Sequence, residues 1–335
     1  MNLSKLSQTL ADQPKYRYAQ VNKALWQDFI SSWQEVSNLP TALREKLSTE
    51  CPLDINVSLE KNKSRNKSVK ALITLSDGEV IETVLIRQKE KRNTVCVSSQ
   101  VGCALACEFC ATGAFGFRRD LKSEEIVEQV IFWERYLRLE AKEEKVDNIV
   151  FMGMGEPFLN YAEFIKAAKF INNPETLNIG SRRLSVSTAG ITEGIKKLAG
   201  EKMQINLAIS LHASNDNLRR DLMPIAQKYN LHEILKTVDN YITKTGRRVM
   251  FEYLMMKGIN DSDKDALELI KLLKKPLYMV NLIPYNPTGR FQASSRERIE
   301  KFKKILEESG VAVTVRLSFG ADITAACGQL RGKHK

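Results

Sequence analysis

No apolar run in the 335-residue chain reaches about eighteen residues, the length a membrane-spanning helix needs. The start, Met1-Asn-Leu-Ser-Lys5, also lacks the basic-then-apolar layout of a secretory leader. A cytoplasmic protein without membrane association is expected. Histidine is scarce, at three residues, and only six cysteines are present. That content argues against a disulfide framework, which belongs to small secreted domains. Acidic residues fall short of basic ones, 40 against 51, leaving a formal charge of +11 and a pI near 9.3. The excess favours a polyanionic partner, because each neutralised phosphate releases counterions. It is concentrated at Lys61, Lys63, Arg65, Lys67 and Lys70, then at Arg87, Lys89, Lys91 and Arg92, and in the tail Arg331-Gly-Lys333-His-Lys335.

Three of the six cysteines lie within eight residues, in Cys103-Ala-Leu-Ala-Cys107-Glu-Phe109-Cys110. Three thiolates at this spacing can hold three irons of a cubane iron–sulfur cluster, and no fourth cysteine lies nearby to complete the set. The fourth iron is left open for a substrate. A zinc site wants four ligands in paired clusters, and the candidates to complete one, His212 and Cys327, are remote in sequence. The spacing, with an aromatic before the last cysteine, resembles the motif of the radical S-adenosylmethionine enzymes. The resemblance implies one 4Fe-4S cluster on Cys103, Cys107 and Cys110, with S-adenosylmethionine on the open iron.

The length allows either two domains or one large α/β barrel, at about 150 residues per domain. Residues 1–50 read as a small helical domain, with Val21, Ala24, Leu25 and Phe29 on one face of a helix from Tyr18 to Ser32. Residues 51–92 read as an antiparallel extension, with alternating runs at 55–59, 71–75 and 80–86, the last two joined at Asp77-Gly78. Cys51, at the seam, reads as a packed small residue without chemistry. From 93 to 335, strand-like runs at 94–98, 148–152, 183–187, 205–211, 249–255 and 278–283 alternate with helical stretches. Six such units predict a parallel sheet, either open or curved into a partial (β/α)6 barrel.

Parallel sheets build their sites in the loops after the strands. Gly153-Met-Gly155-Glu156-Pro157 follows the second strand, Ser187 closes the third, Ser210-Leu211-His212 the fourth, and Asn286 the sixth. Alone, each is weak: a turn, a helix cap, a core histidine.

Four blocks together are similar to the RlmN family of RNA methyltransferases. They are Cys96-Val-Ser-Ser-Gln-Val-Gly with the cysteine motif, Gly-Met-Gly-Glu-Pro, Leu218-Arg-Arg-Asp-Leu-Met-Pro224 and Ala325-Ala-Cys327-Gly-Gln-Leu330. The resemblance runs over nearly the whole chain. It implies a radical S-adenosylmethionine partial barrel that methylates carbon-2 of an adenosine in the peptidyl transferase centre of 23S rRNA, and in some members an adenosine beside the tRNA anticodon. Carbon-2 carries no usable nucleophile, so a radical route is required.

By the same resemblance, Cys327 accepts a methyl group from a first S-adenosylmethionine. A second one yields the radical that activates this methyl group for addition to the base. Cys96 then attacks the sulfur of Cys327 to release the product as a disulfide forms. Glu82, on its own an exposed strand carboxylate, matches the family's proton acceptor. Gly155, Glu156, Ser187, Ser210, Leu211, His212 and Asn286 match its S-adenosylmethionine contacts. A low-potential electron donor such as flavodoxin, and a monomeric enzyme, are expected. Cfr-like methylation of carbon-8 is the main alternative; Pro157 favours carbon-2, since Cfr members carry alanine there. A radical enzyme on a small or protein substrate fits the charge poorly. A non-enzymatic RNA-binding iron–sulfur module gives no reason for Cys96 and Cys327.

Overall fold

The computed structural model describes residues 3–61, 68–87, 92–141, 143–316 and 323–330. Its centre is one ten-stranded sheet. Three strands, β1 (Asn56–Lys61), β2 (Val69–Thr74) and β3 (Val80–Arg87), pair antiparallel in sequence order. The third also pairs antiparallel with β4 (Asn93–Cys96), so the extension continues the main sheet. A two-stranded hairpin follows, β5 (Gln100–Gly102) with β6 (Phe117–Asp120). The sheet then runs parallel from β4 through β7 (Asn148–Phe151), β8 (Leu184–Thr188), β9 (Asn206–Ser210), β10 (Val249–Met255), β11 (Tyr278–Pro284) and β12 (Val313–Val315).

The alternating strand–helix pattern and the antiparallel run are as the sequence predicts. The hairpin and β12 are additions, each strand being only three or four residues long. The stretch between β9 and β10 holds two helices, Asp216–Leu222 and Leu231–Thr245.

Side-chain chemistry explains the punctuation. The helix Leu231–Thr245 starts where Asn230 accepts the amide of Glu233 and stops at Gly246, whose φ of 64° suits glycine. Its buried residues Ile234, Leu235, Val238 and Tyr241 recur at helical spacing and cover the sheet. Ser262 and Ser295 cap the next two helices, Asp263–Leu273 and Arg296–Glu308, in the same way. Along β10, Val249, Phe251, Tyr253 and Met255 share one buried apolar face, whereas Glu252 stands with Leu254 on the other, which lines a cavity.

At the N-terminus the expected helix ends early, spanning Lys15–Trp26, because Phe29 turns the chain at a φ of 51°. Arg138 fixes that turn: it donates to the carbonyls of Gln27 and Asp28, and its guanidinium lies 4.5 Å from the Phe29 ring centroid. Cys51 is buried, 3.7 Å from the Thr9 hydroxyl, and the Trp33 indole donates to its carbonyl. No helix among the described residues is long and apolar enough to cross a membrane.

Candidate active site

The hairpin β5–β6 clamps the two ends of the cysteine loop. Cys103 donates its amide to Gly116 at 3.0 Å, Cys110 to Cys107 at 3.1 Å, and Glu108 to Leu222 at 3.0 Å. The loop also grips the C-terminal segment: the Ala111 amide donates to Gly328 at 2.7 Å, and the Thr112 hydroxyl donates to Leu330. These bonds bring Cys327 to the mouth of the parallel sheet. Cys96, at the end of β4, lines one cavity with Cys110, Asn286, Arg316 and Cys327. Cys327 and Arg316 also line the adjoining cavity, together with Cys103, Cys107, Gly155, Glu156, Ser187, Ser210 and His212.

The electrostatics of the thiols reflect their crowding. Burial pushes Cys103 up to about 12, and burial with the neighbouring Cys110 and Cys103 pushes Cys107 well above the usual thiol range. Three thiols crowded in this way suit a cationic iron centre, which would hold Cys103, Cys107 and Cys110 as its ligands. Ligands to separate irons need not converge on one point, and among the described residues no three His, Cys, Asp or Glu side chains form a single-ion site. Cys96 is pushed up to about 12 by burial and by Cys327, with Arg316 pulling the other way. Arg316 is half-buried, and Cys327 and then Glu252 and Cys96 hold its guanidinium more firmly protonated against the effect of desolvation.

Around the second cavity the polar groups are oriented by the backbone. Glu156 is buried, which raises its carboxyl to about 7, and its oxygens accept the amides of Phe158 at 3.0 Å and Ala189 at 2.7 Å. The Thr188 side chain is a further hydrogen-bond partner of this carboxyl. His212 occupies the left-handed region at φ 57°, accepts the Leu254 amide on Nδ1 at 3.2 Å and packs edge-on against Phe109. Burial and then Arg219 depress its pKa to about 3, so the ring is neutral and Nε2 carries the proton. The hydroxyls of Ser187 and Ser210 lie 3.1 Å apart, and Asn286 donates to the Cys327 carbonyl at 3.4 Å.

Two expected residues sit differently. The Leu211 side chain is fully buried, its amide donates to Glu252 and its carbonyl accepts from Arg219, so it supports the loop and presents nothing to the cavity. Glu82 is not the exposed carboxylate that an alternating strand suggests: it is 1% exposed. Its strand β3 places it on the face shared with Val84, which is paired to Cys96. Of the basic residues, Lys63, Arg65, Lys67, Lys89, Lys91, Arg331, Lys333 and Lys335 lie outside the described residues. Among the others, Lys61 and Arg87 are both paired with Glu140.

Arg316, Glu252 and Lys70 have no place in the sequence reading of the site. Lys70 and Glu252 are single charges in otherwise apolar strands, and Arg316 directly follows β12.

The glycine loop gives a sharp test. Gly155 has a φ of 100°, and a Cβ there would lie 2.5 Å from the Gln100 Cβ. Gln100 in turn accepts the Glu156 amide at 2.8 Å and donates to Asp120 at 2.7 Å. Gly155→Ala is therefore expected to cost about 2–4 kcal/mol of stability and to weaken S-adenosylmethionine binding. Thermal unfolding with titration calorimetry checks this, and an unchanged melting temperature with unchanged affinity would contradict the packing described.

A model described as the Radical SAM superfamily matches residues 97–270. The probable dual-specificity RNA methyltransferase RlmN of Syntrophomonas wolfei is 43% identical over 332 residues, covering 97% of this chain and 93% of that protein. The ribosomal RNA large subunit methyltransferase N of Nitrosopumilus maritimus is 45% identical over 327 residues, covering 95% and 92%. The crystal structure of a radical SAM methyltransferase from Sphaerobacter thermophilus superposes with a TM-score of 0.92 at 42% identity, covering 99% of this chain and 98% of that one. On these grounds the chain belongs to the RlmN family of radical S-adenosylmethionine RNA methyltransferases, enzymes that use a 4Fe-4S cluster and S-adenosylmethionine.

Proposed function

We propose that this enzyme methylates carbon-2 of an adenosine in 23S rRNA, through a methyl group carried on Cys327 and released with the help of Cys96. The observation that carries the reading is the shared cavity of Cys96, Cys110 and Cys327, in which both distant thiols are free. In this reading Cys103, Cys107 and Cys110 hold the cluster, while Gly155, Glu156, Ser187, Ser210, His212 and Asn286 hold S-adenosylmethionine. When bound, cluster and S-adenosylmethionine supply a radical able to take hydrogen from a methyl group on sulfur.

The chain's own groups do the rest. Cys327 accepts the methyl group as the sulfur nucleophile, with Arg316 lining the same cavity. Once the methylene carbon has joined the base, the Glu82 carboxylate takes the carbon-2 proton. With the adduct's unpaired electron returned to the electron-transfer system, Cys96 attacks the Cys327 sulfur, and a sulfur–sulfur bond forms as the carbon–sulfur bond breaks. The methylene carbon keeps that pair and takes the proton given up by Cys96 to become the methyl group, and an external dithiol reduces the disulfide before the next turnover. The raised pKa of Cys96 keeps it a thiol until that step.

Pro157 after Glu156 supports carbon-2 over carbon-8. The dual-specificity names of relatives extend the proposal to tRNA. A low-potential electron donor of the flavodoxin type, a monomeric state and a cytoplasmic location complete it. Anaerobic reaction with a reductant, followed by mass spectrometry of digested rRNA and tRNA, tests the product. 2-Methyladenosine is expected, and 8-methyladenosine would assign the Cfr-type activity instead. Release of 5′-deoxyadenosine with no methylated nucleoside from either RNA would sink the substrate assignment.

The basic run supplies a separate test of RNA binding. Replacing Lys63, Arg65 and Lys67 together by alanine is expected to weaken binding and to reduce the slope of log affinity against log salt by about two to three. An unchanged slope would place the RNA surface elsewhere.

A further inference from the structure

Lys70 is a lone cation in the apolar strand β2, and it is 2% exposed. The register places it opposite Glu60 on β1 and opposite Val84 on β3, hence diagonal to Glu82 on the same face. Its ammonium nitrogen lies 3.1 Å from a Glu60 carboxylate oxygen and 3.5 Å from a Glu82 oxygen. It also donates to the Thr324 hydroxyl at 3.1 Å and approaches the Thr324 carbonyl at 3.5 Å. Thr324 stands three residues before Cys327, at a φ of 48°, a conformation that a β-branched residue adopts only when its surroundings impose it.

An ammonium out of water is kept only where charge and hydrogen bonds compensate it, and removing it strands its partners. Here the partners come from two strands and from the C-terminal segment. Packing alone would be served by an apolar residue at this position, since Ala71, Leu72 and Ile73 beside it are all buried. The ammonium adds a fixed point at which the Glu82 carboxylate and the segment bearing Cys327 meet.

We propose that Lys70 is a positioning residue for proton removal: its ammonium joins Glu82 to Thr324, and so registers the methyl-carrying segment on the base that takes the carbon-2 proton. The proposal rests on the reading of Glu82 as proton acceptor and of Cys327 as methyl carrier. In the step concerned the proton passes from carbon-2 to a Glu82 oxygen, and the bonding pair stays with the ring. Glu60, 32% exposed on the far side of Lys70, keeps the ammonium paired while Glu82 is protonated.

The test is single-turnover decay of the covalent RNA–protein adduct, followed on denaturing gels with labelled RNA and expressed per adduct formed. A purely structural role would lower the amount of adduct without changing its decay. Lys70→Met and Glu82→Gln are each expected to lengthen the adduct lifetime at least tenfold. Lys70→Arg should restore it to within a few fold, and Thr324→Val should lengthen it in the same direction. Wild-type decay in Lys70→Met, with a long-lived adduct in Glu82→Gln, overturns the role of Lys70 alone. Wild-type decay in both overturns the assignment of Glu82. Should Lys70→Met fail to fold, Thr324→Val decides: wild-type decay there refutes the proposal.

Discussion

Replacing Cys96 with alanine will stop multiple turnover and leave RNA covalently bound to the protein, lowering steady-state methylation by more than about a thousandfold. The expectation follows from the cavity. Cys96 and Cys327 line it together, and release of the product needs a thiol aimed at the Cys327 sulfur. Water cannot substitute, because attack at that sulfur calls for a soft nucleophile in a confined space. Every earlier step should persist, since none of the hydrogen bonds that hold the cysteine loop or the Glu156 carboxylate uses the Cys96 side chain. A denaturing gel should show a shifted band carrying both protein and RNA. Cys51→Ala, altering a buried cysteine of the N-terminal core, is the control and should turn over normally. Full turnover by Cys96→Ala would remove the release mechanism from the account.

The second large effect is expected at Cys327. Its replacement by alanine deletes the methyl acceptor, and serine offers a hydroxyl too weakly acidic to accept a methyl group at neutral pH. Both variants should yield no methylated nucleoside and no RNA adduct. Cleavage of S-adenosylmethionine to 5′-deoxyadenosine should remain measurable, because the anchors of the segment do not use the Cys327 side chain. Asn286 reaches its carbonyl, and Gly328 and Leu330 dock on the cysteine loop through their own carbonyls. Loss of RNA methylation would thus be chemical rather than structural. Product formation by Cys327→Ala would require a different carrier.

Much of the architecture is legible in the sequence because each parallel strand is a short, largely apolar run followed by a helical pattern. Runs such as Val249 to Met255 leave little choice, and capping residues such as Asn230, Ser262 and Ser295 mark where helices start. The hairpin around the cysteine loop is illegible for the opposite reason. Gln100 to Gly102 is too short for a period to emerge, and its register is fixed by tertiary contacts of the loop itself.

The site divides in the same way. The cysteine spacing and the glycine loop are local patterns, so they survive in one dimension. The meeting of Cys96 with Cys327 is not local, and only the family resemblance anticipates it. Lys70 and Glu252 resist reading because a single charge in a strand usually faces water. Here Lys70 and Glu82 share one face of the sheet and are buried, with Lys70 bonded to Thr324 of the C-terminal segment. Leu211 errs the other way: it sits within a binding segment, yet an apolar side chain beside a cavity is more stable turned into the core.

The central claim is that Cys327 carries the methyl group, and one measurement tests it most directly. Protein with a cluster reconstituted under anaerobic conditions is incubated with S-adenosylmethionine alone and digested, and the peptide containing Cys327 is weighed by mass spectrometry. The account predicts a modified methyl-bearing cysteine at Cys327 and none at Cys96 or Cys51. An unmodified Cys327, in protein with intact cluster and bound S-adenosylmethionine, would contradict it.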